Sequence, residues 1–408
     1  MVRFWNKFVL SMLILTLVFN IFSISVGAVS REDLDSAEKI ICIVHRGDWH
    51  SFPENSAEAV KAGCEYGFVS VDVKLTKDGK AVLLADDTTD RMVVDADGKT
   101  VSGNVADKTY AELASLYLRA ENGSEDKAKT DCRVSGLGTA LSFVNEDSLL
   151  ILNTSCDDFE KVYAEVKAFG ATEKVAFRFI SDSISDIIKT TSSYNDVTVF
   201  GNYQGNIIFL ATSAVKKSFE NAMNVVELGS KNGNGVLYDE FLMDRFNEQG
   251  RAMVSMVNAR SGKRPDSERG WDDLIRLGYS VIETDYPEQF NEYLEQIEDE
   301  EKQLNYYVDL YKSTDIQPYT TDSEKAFSTA LDEAKNLLSG KGSLSEMQNA
   351  RHALQSAYDN LTLGEKKTVT LKFEFTAGRL IAVVLCGGAI IAAQVFFFRK
   401  RDKNKKAD

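Results

Sequence analysis

The chain has 408 residues, of which 44% are hydrophobic and 10% aromatic, and its formal net charge is −15. That length holds one large domain and a smaller one with an ordinary core. Six bases against two acids in residues 399–408, and two bases in residues 1–29, leave the stretch between them at −21, a field that repels phosphate backbones and anionic headgroups and excludes nucleic acid as a partner.

Residues 1–7 carry Arg3 and Lys7 without an acid, residues 8–19 are an almost unbroken apolar run, and Val26-Gly27-Ala28 ends in the small residues a signal peptidase cleaves after. We expect a signal peptide over 1–29. The alternative is an uncleaved anchor, because apolar character continues to Val26. Either one places the residues that follow outside the cell.

From 38 to 294, short apolar runs alternate with helical patterns, at 40–44, 68–73, 149–152, 175–179, 197–200, 225–228, 235–238, 253–257 and 281–284. Several runs are continuous rather than alternating, as expected of parallel strands covered on both faces, and a β-then-α rhythm over this length predicts an α/β fold of the TIM (β/α)8 barrel type. An open doubly wound sheet is the runner-up, since periodicity does not close a barrel. Thr76-Lys77-Asp78-Gly79-Lys80 joins two runs as a tight hairpin, glycine supplying the positive φ. Residues 95–131, rich in Gly, Asp, Lys and Asn, read as a surface excursion with one short helix near 110–119.

After Leu294 strand signals cease and apolar residues recur at helical spacing, so a helical spacer module is expected over 295–364. Its helices are 323–338, with Ala330, Ala334, Leu337 and Leu338, and 344–363, with Ala350, Leu354, Ala357 and Leu361; Ser339-Gly340-Lys341-Gly342 joins them into a small bundle. The segment is similar to the short FIVAR-type helical repeats of Gram-positive bacterial surface proteins. Residues 380–398, with Gln394 as the one strongly polar member, match a bilayer core of about 30 Å at about 1.5 Å per residue. A transmembrane helix is expected there. The basic tail 399–408 then lies in the cytoplasm, giving a single-pass membrane protein with its barrel outside.

Of five cysteines, Cys386 lies in that span, and Cys42, Cys64, Cys132 and Cys156 have wide, irregular spacing that matches neither a disulfide framework nor a CxxC site. Cys42 reads as a small core residue. Pairing among the four stays open.

Chemistry concentrates in His45-Arg46-Gly47, Pro53-Glu54-Asn55-Ser56, and Asp72-Val73-Lys74-Leu75-Thr76-Lys77-Asp78-Gly79. This combination resembles the opening of a glycerophosphodiester phosphodiesterase, and Thr284-Asp285-Tyr286-Pro287 resembles the close of that family's domain. The resemblance implies a barrel with its site at the carboxyl ends of the strands. It makes His45 a general acid or base, and Arg46 a clamp on substrate phosphate. Glu54 is a metal ligand or substrate contact, or simply a carboxylate opening the next helix at its positive end.

The same resemblance exposes vacancies. Where the family writes Glu-x-Asp this chain has Ser70-Val71-Asp72, so Asp72 is the one metal ligand kept there. Ala85 stands at the second catalytic histidine, and Ser155 in Asn153-Thr154-Ser155 stands at the third metal carboxylate. Ser255 replaces an aromatic ahead of Met256-Val257-Asn258. One carboxylate with two hydroxyls is a poor cage for Ca²⁺ or Mg²⁺, so no cofactor is expected, and the chain reads as a catalytically impaired binding or scaffold protein for a phosphate-containing ligand. The alternative is a divergent, divalent-cation-dependent phosphoric diester hydrolase that releases an alcohol and glycerol phosphate. In it His50, Asp86, Asp87 and Asp90 would rebuild the ligand set. His352, in the helical module, is expected to be exposed. A third reading is a purely mechanical surface protein. The sequence names no protein partner.

Overall fold

The computed structural model describes residue 34 and residues 39–145, 148–179, 183–203, 224–228, 253–256, 266–340 and 342–364. The expected signal peptide, transmembrane helix and basic tail, and the strand expected at 235–238, lie outside the described residues. Among the described residues no helix is long and apolar enough to cross a membrane.

Eight parallel strands form the body: β1 (Ile41–His45), β2 (Phe68–Leu75), β7 (Leu150–Thr154), β8 (Val175–Phe179), β9 (Thr198–Tyr203), β10 (Val225–Leu228), β11 (Met253–Met256) and β12 (Val281–Thr284). They neighbour one another in the order β1-β12-β11-β10-β9-β8-β7-β2, and β1 also pairs with β2, Ile43 opposite Phe68 and His45 opposite Ser70. That last pairing closes the ring and rules out the open sheet.

Side chains alternate across each strand, so one parity faces inward. Ile41, Ile43, Phe68, Ile151, Ala176 and Val281 share one buried cluster toward the amino ends of the strands. Continuing the same parity toward the carboxyl ends reaches His45, Ser70, Asp72, Asn153, Arg178 and Glu283. The interior therefore changes from apolar floor to charged mouth within two residues of each strand.

The Asp78-Gly79 turn forms as expected: β2 runs antiparallel to β3 (Ala81–Leu83), with Val73 opposite Leu83, and Gly79 sits at φ +71°. The excursion that follows is more ordered than its composition suggests. A three-stranded sheet of β4 (Val93–Val94), β5 (Tyr117–Arg119) and β6 (Lys129–Arg133) carries a one-turn helix α2 (Tyr110–Ala114), so the expected helix near 110–119 ends early and its second half is strand. Val82, Leu84, Met92, Leu113, Leu118 and Val134 give this cap a core of its own. Its apolar runs, such as Met92-Val93-Val94 and Leu116-Tyr117-Leu118, are too short to show either period.

On the barrel's flanks lie α1 (Ala57–Gly63), α3 (Leu137–Leu141), α4 (Phe159–Ala168), α5 (Ile184–Thr191) and α6 (Glu268–Arg276). Helix α7 (Pro287–Tyr311) starts on a proline at its first turn, where the missing N–H costs nothing, and runs 25 residues through Leu294 and Glu295, where the spacer was expected to begin. Its buried stripe, Phe290, Tyr293, Leu294, Ile297, Leu304 and Val308, continues across that point without a break. Helices α8 (Thr321–Leu338) and α9 (Leu344–Asp359) follow, close to the expected pair, and α9 begins with a reciprocal cap between Ser343 and Glu346.

Contacts divide the chain into two compact units. The first contains the described barrel residues and Lys325–Asn360; the second contains Asp315–Glu324 and, among the described residues, 361–364. Within the first, α9 is held to the barrel helices by polar ties. The Ser345 N–H and hydroxyl donate to Asp272 at 2.9 and 2.5 Å, the Tyr293 hydroxyl donates to the same carboxylate at 3.0 Å, and Arg351 pairs with buried Glu300. Tyr311 stacks on Tyr358 with ring centroids 4.0 Å apart. Within the second, the Thr320 N–H donates to the Thr362 carbonyl at 2.8 Å.

Among the described residues Cys42, Cys64, Cys132 and Cys156 form no disulfide, and Cys42 is buried, as its apolar run implies. Burial pushes its thiol far above the usual range.

Candidate functional site

The loop after β1 is built by two left-handed residues. Arg46 has φ +61° and Gly47 +76°. A Cβ on Gly47 would stand 2.5 Å from the Ala59 carbonyl carbon, so only glycine lets the chain pass against α1. Asn55, at φ +57°, donates its N–H to the Arg46 carbonyl at 2.9 Å, and the Ser56 hydroxyl caps α1 through Ala59. The two motifs thus fold into one support.

His45 closes β1 with Nδ1 2.8 Å from Asp285 Oδ1. Trp49 Nε1 donates to the same oxygen at 2.9 Å, and the Asp285 N–H donates to Asp266 Oδ2 at 2.7 Å. Asp266 also accepts from Thr284 Oγ1 and Trp271 Nε1, each at 2.7 Å. Burial disfavours a charged imidazole, but the Asp285 hydrogen bond and the charges of Glu283 and Asp285 outweigh burial and the opposing charge of Arg46, so His45 titrates above its usual range. Asp285 is held below the usual carboxylate range despite its burial, by the His45 hydrogen bond and charge.

A raised folded pKa means that His45 contributes stability fully below about pH 6.5, its usual unfolded value, and loses the contribution as pH rises through the folded value. Urea melts of wild type and His45→Gln should therefore differ most in mild acid and converge in mild alkali. A gap independent of pH would refute the imidazolium–Asp285 pair.

Arg46 donates from Nη1 to Glu54 Oε2 at 3.0 Å, and its Nε lies 2.9 Å from Asp72 Oδ2, an ion pair without good hydrogen-bond aim. Glu54, only 2% exposed, is held from its other oxygen by Arg91 Nη2 at 2.5 Å. Asp72 also receives Asn55 Nδ2 on Oδ2 at 3.2 Å and Asn153 Nδ2 on Oδ1 at 3.0 Å. Burial would push the Asp72 carboxyl up; Arg46, the Asn153 and Asn55 amides and His45 together hold it below the usual range.

Ser70, fully buried, donates its hydroxyl to Glu283 Oε1 at 2.6 Å, and Arg178 spans the same carboxylate with Nη1 at 2.7 Å and Nη2 at 3.1 Å. Burial raises the Glu283 carboxyl, but Arg178 leads the groups that bring it below its ordinary value. Ser155 is elsewhere engaged: its hydroxyl donates to Asp158 Oδ2 at 2.9 Å and accepts the Asp158 N–H at 3.2 Å, forming the turn into α4. Ala85 follows the end of β3 and carries no polar group.

His45, Arg46, Glu54 and Asp72 thus come together, with Ser70 beneath them and Ser155 apart in its own turn. The alternative ligand set disperses. Asp86 pairs with Arg91, Asp87 with Lys74, Asp90 is held by Ser102 and Thr88, and His50 is stacked between Trp49 and Tyr286 at centroid distances of 3.8 and 4.9 Å. His352 is exposed. Among the described residues no three His, Cys, Asp or Glu side chains converge to hold a metal ion.

The residues missed from sequence are Arg178, Glu283, Asp266 and Arg91, together with Asp285 as the partner of His45. The first two had a signal. A charge inside an apolar strand, Val-Ala-Phe-Arg-Phe or Val-Ile-Glu-Thr, is buried only with a partner, so each implied the other.

A closed parallel barrel with a histidine, an arginine and a buried carboxylate at its carboxyl-end mouth defines the class: an α/β barrel of the phosphodiesterase type. The sequence profile of the Glycerophosphoryl diester phosphodiesterase family matches residues 45–289. The chain belongs to that family. It is 32% identical over 151 residues to the uncharacterized protein YqiK of Bacillus subtilis, covering 35% of this chain and 58% of that protein. It is 40% identical over 80 residues to a glycerophosphodiester phosphodiesterase of Caldanaerobacter subterraneus, covering 19% of this chain and 30% of that one. The crystal structure of a glycerophosphoryl diester phosphodiesterase from Parabacteroides distasonis superimposes with a TM-score of 0.51 at 20% identity, over 64% of this chain and 90% of that chain, a likeness of fold.

Family membership implies a divalent cation, and among the described residues the carboxylates at the mouth do not fit one. A cation needs several free oxygen ligands. Here both oxygens of Asp72 already accept amide N–H groups with a guanidinium alongside, and Glu283 is spanned by Arg178.

Proposed function

We propose that this protein is an outward-facing, membrane-anchored member of the family that has lost metal-dependent hydrolysis and holds a phosphate-containing ligand at the barrel mouth, as a binding or scaffold domain. The observation that carries it is the state of Asp72: the one ligand carboxylate kept is ion-paired with Arg46 and accepts a hydrogen bond from Asn55 and from Asn153. Two cationic side chains stay reachable there, beside Asp285, which is itself 37% exposed. Side chains of His45 and Arg46 are 20% and 28% exposed and adjacent in sequence, a pairing suited to an anion. The apolar stretch 380–398 with its basic tail supplies the anchor in this reading, and residues 295–364 are read as a FIVAR-like helical module between barrel and anchor in the sequence.

Full-length protein in detergent, assayed on glycerophosphodiesters with Ca²⁺, Mg²⁺ or Mn²⁺, should show no turnover above a His45→Ala control. Calorimetry with glycerol phosphate should register binding that the control lacks. Metal-dependent turnover abolished by Asp72→Ala would establish the hydrolase instead.

A further inference from the structure

We propose that Arg178 is the barrel's built-in cation: its guanidinium, locked to Glu283 and through it to Ser70, ties together strands that a bound metal would tie, and bars a divalent ion from the mouth. The inference deepens the proposed function, resting on its loss of metal-dependent hydrolysis and adding a second, buried ion pair to the state of Asp72.

The geometry is that of a cross-brace. Arg178 is on β8 and Glu283 on β12, and β9, β10 and β11 separate them around the ring, so their pair spans the interior rather than neighbouring strands. Ser70 on β2 adds a third anchor, 2.6 Å from the same oxygen of Glu283 that lies 2.7 Å from Arg178. Both charged side chains are at most 2% exposed, and a charge so far from water survives only beside its opposite.

The position carries the argument. Ser70 stands where the family resemblance puts a metal carboxylate, and its hydroxyl now ends the brace. Asn153, which binds Asp72, pairs in register with Asp72 on one side and Arg178 on the other. A fixed positive charge therefore stands with a single strand, β7, between it and the carboxylate that a cation would need. Planar bidentate pairing suits arginine to this task better than lysine. With Glu283 matched by Arg178 and Asp72 by Arg46, no net negative charge is left among these four to draw a doubly charged ion out of water.

The test is thermal melting of the full-length protein in detergent, followed by tryptophan fluorescence, with EDTA and then with millimolar Ca²⁺, Mg²⁺ or Mn²⁺. Wild type should melt at one temperature throughout. Arg178→Gln and Glu283→Gln should each melt about 10 °C lower. Calcium should recover part of the loss in Arg178→Gln, where Glu283 and Asp72 face an empty centre, and none in Glu283→Gln. Stabilisation of wild type by a divalent ion, or a folded Arg178→Gln indifferent to all three, would overturn the proposal. If Arg178→Gln does not fold, Arg178→Lys decides: folded and indifferent to calcium supports the built-in cation, unfolded or calcium-dependent opposes it. Turnover plays no part in these readings, so this proposal and the proposed function fail separately.

Discussion

Gly47→Val is expected to cost about 3 kcal/mol or more of folding free energy, and Gly47→Ala somewhat less, as read from urea melts. Two penalties combine. The backbone at φ +76° is disfavoured for any residue with a Cβ by about 1–2 kcal/mol. The added atom would also lie 2.5 Å from the Ala59 carbonyl carbon and 2.6 Å from its oxygen, helix backbone that does not rotate away, and such overpacking adds about 1–3 kcal/mol. The damage should reach the ligand site as well, because the Asp48 N–H donates to the Ala59 carbonyl and the Asn55 N–H to that of Arg46. A loss below about 1 kcal/mol would mean that this loop re-forms around a side chain, and the tight approach to α1 would be incidental.

Glu54→Ala should destabilise the fold by about 2–3 kcal/mol while increasing its response to anions. Removing one partner from a buried ion pair typically costs about 3–5 kcal/mol. Arg46 and Arg91 are 28% and 31% exposed, so water relieves part of that cost. The two guanidinium groups would then face each other without the carboxylate that separates them. Inorganic phosphate should raise the melting temperature of Glu54→Ala more than that of wild type, since its oxygens accept from both guanidinium groups, which donate bidentately. Glu54→Gln, which keeps the shape and one acceptor, should fall between. An Ala variant as stable as wild type would show that Glu54 only opens the helix, the simpler role its sequence position allows.

Much of the barrel was legible because parallel strands covered on both faces must be apolar in unbroken runs, and Asp78-Gly79 marks its hairpin without help from tertiary structure. The cap between β3 and α3 was not. Its strands of two to five residues carry only short apolar runs such as Met92-Val93-Val94, too brief to show a period, and their shared core exists only after the chain has folded back. At the site, His45, Arg46, Glu54 and Asp72 were found by motif, which records residue type at fixed spacing. Arg178 and Glu283 lie 105 positions apart in the chain, and nothing local couples them. The break expected after Leu294 reflected a real change in composition, yet α7 crosses it because a helix ends where its buried stripe and backbone bonds end. Strand character ceases earlier, and the two events need not coincide.

Helix α7 begins at Pro287, two residues beyond Asp285, and its 25 residues make a rod about 37 Å long at about 1.5 Å per residue. The helix that buries Phe290 and Tyr293 against the barrel therefore also sets where the Asp285 backbone can lie, so the partner of the His45 imidazole is placed by apolar packing as well as by Asp266.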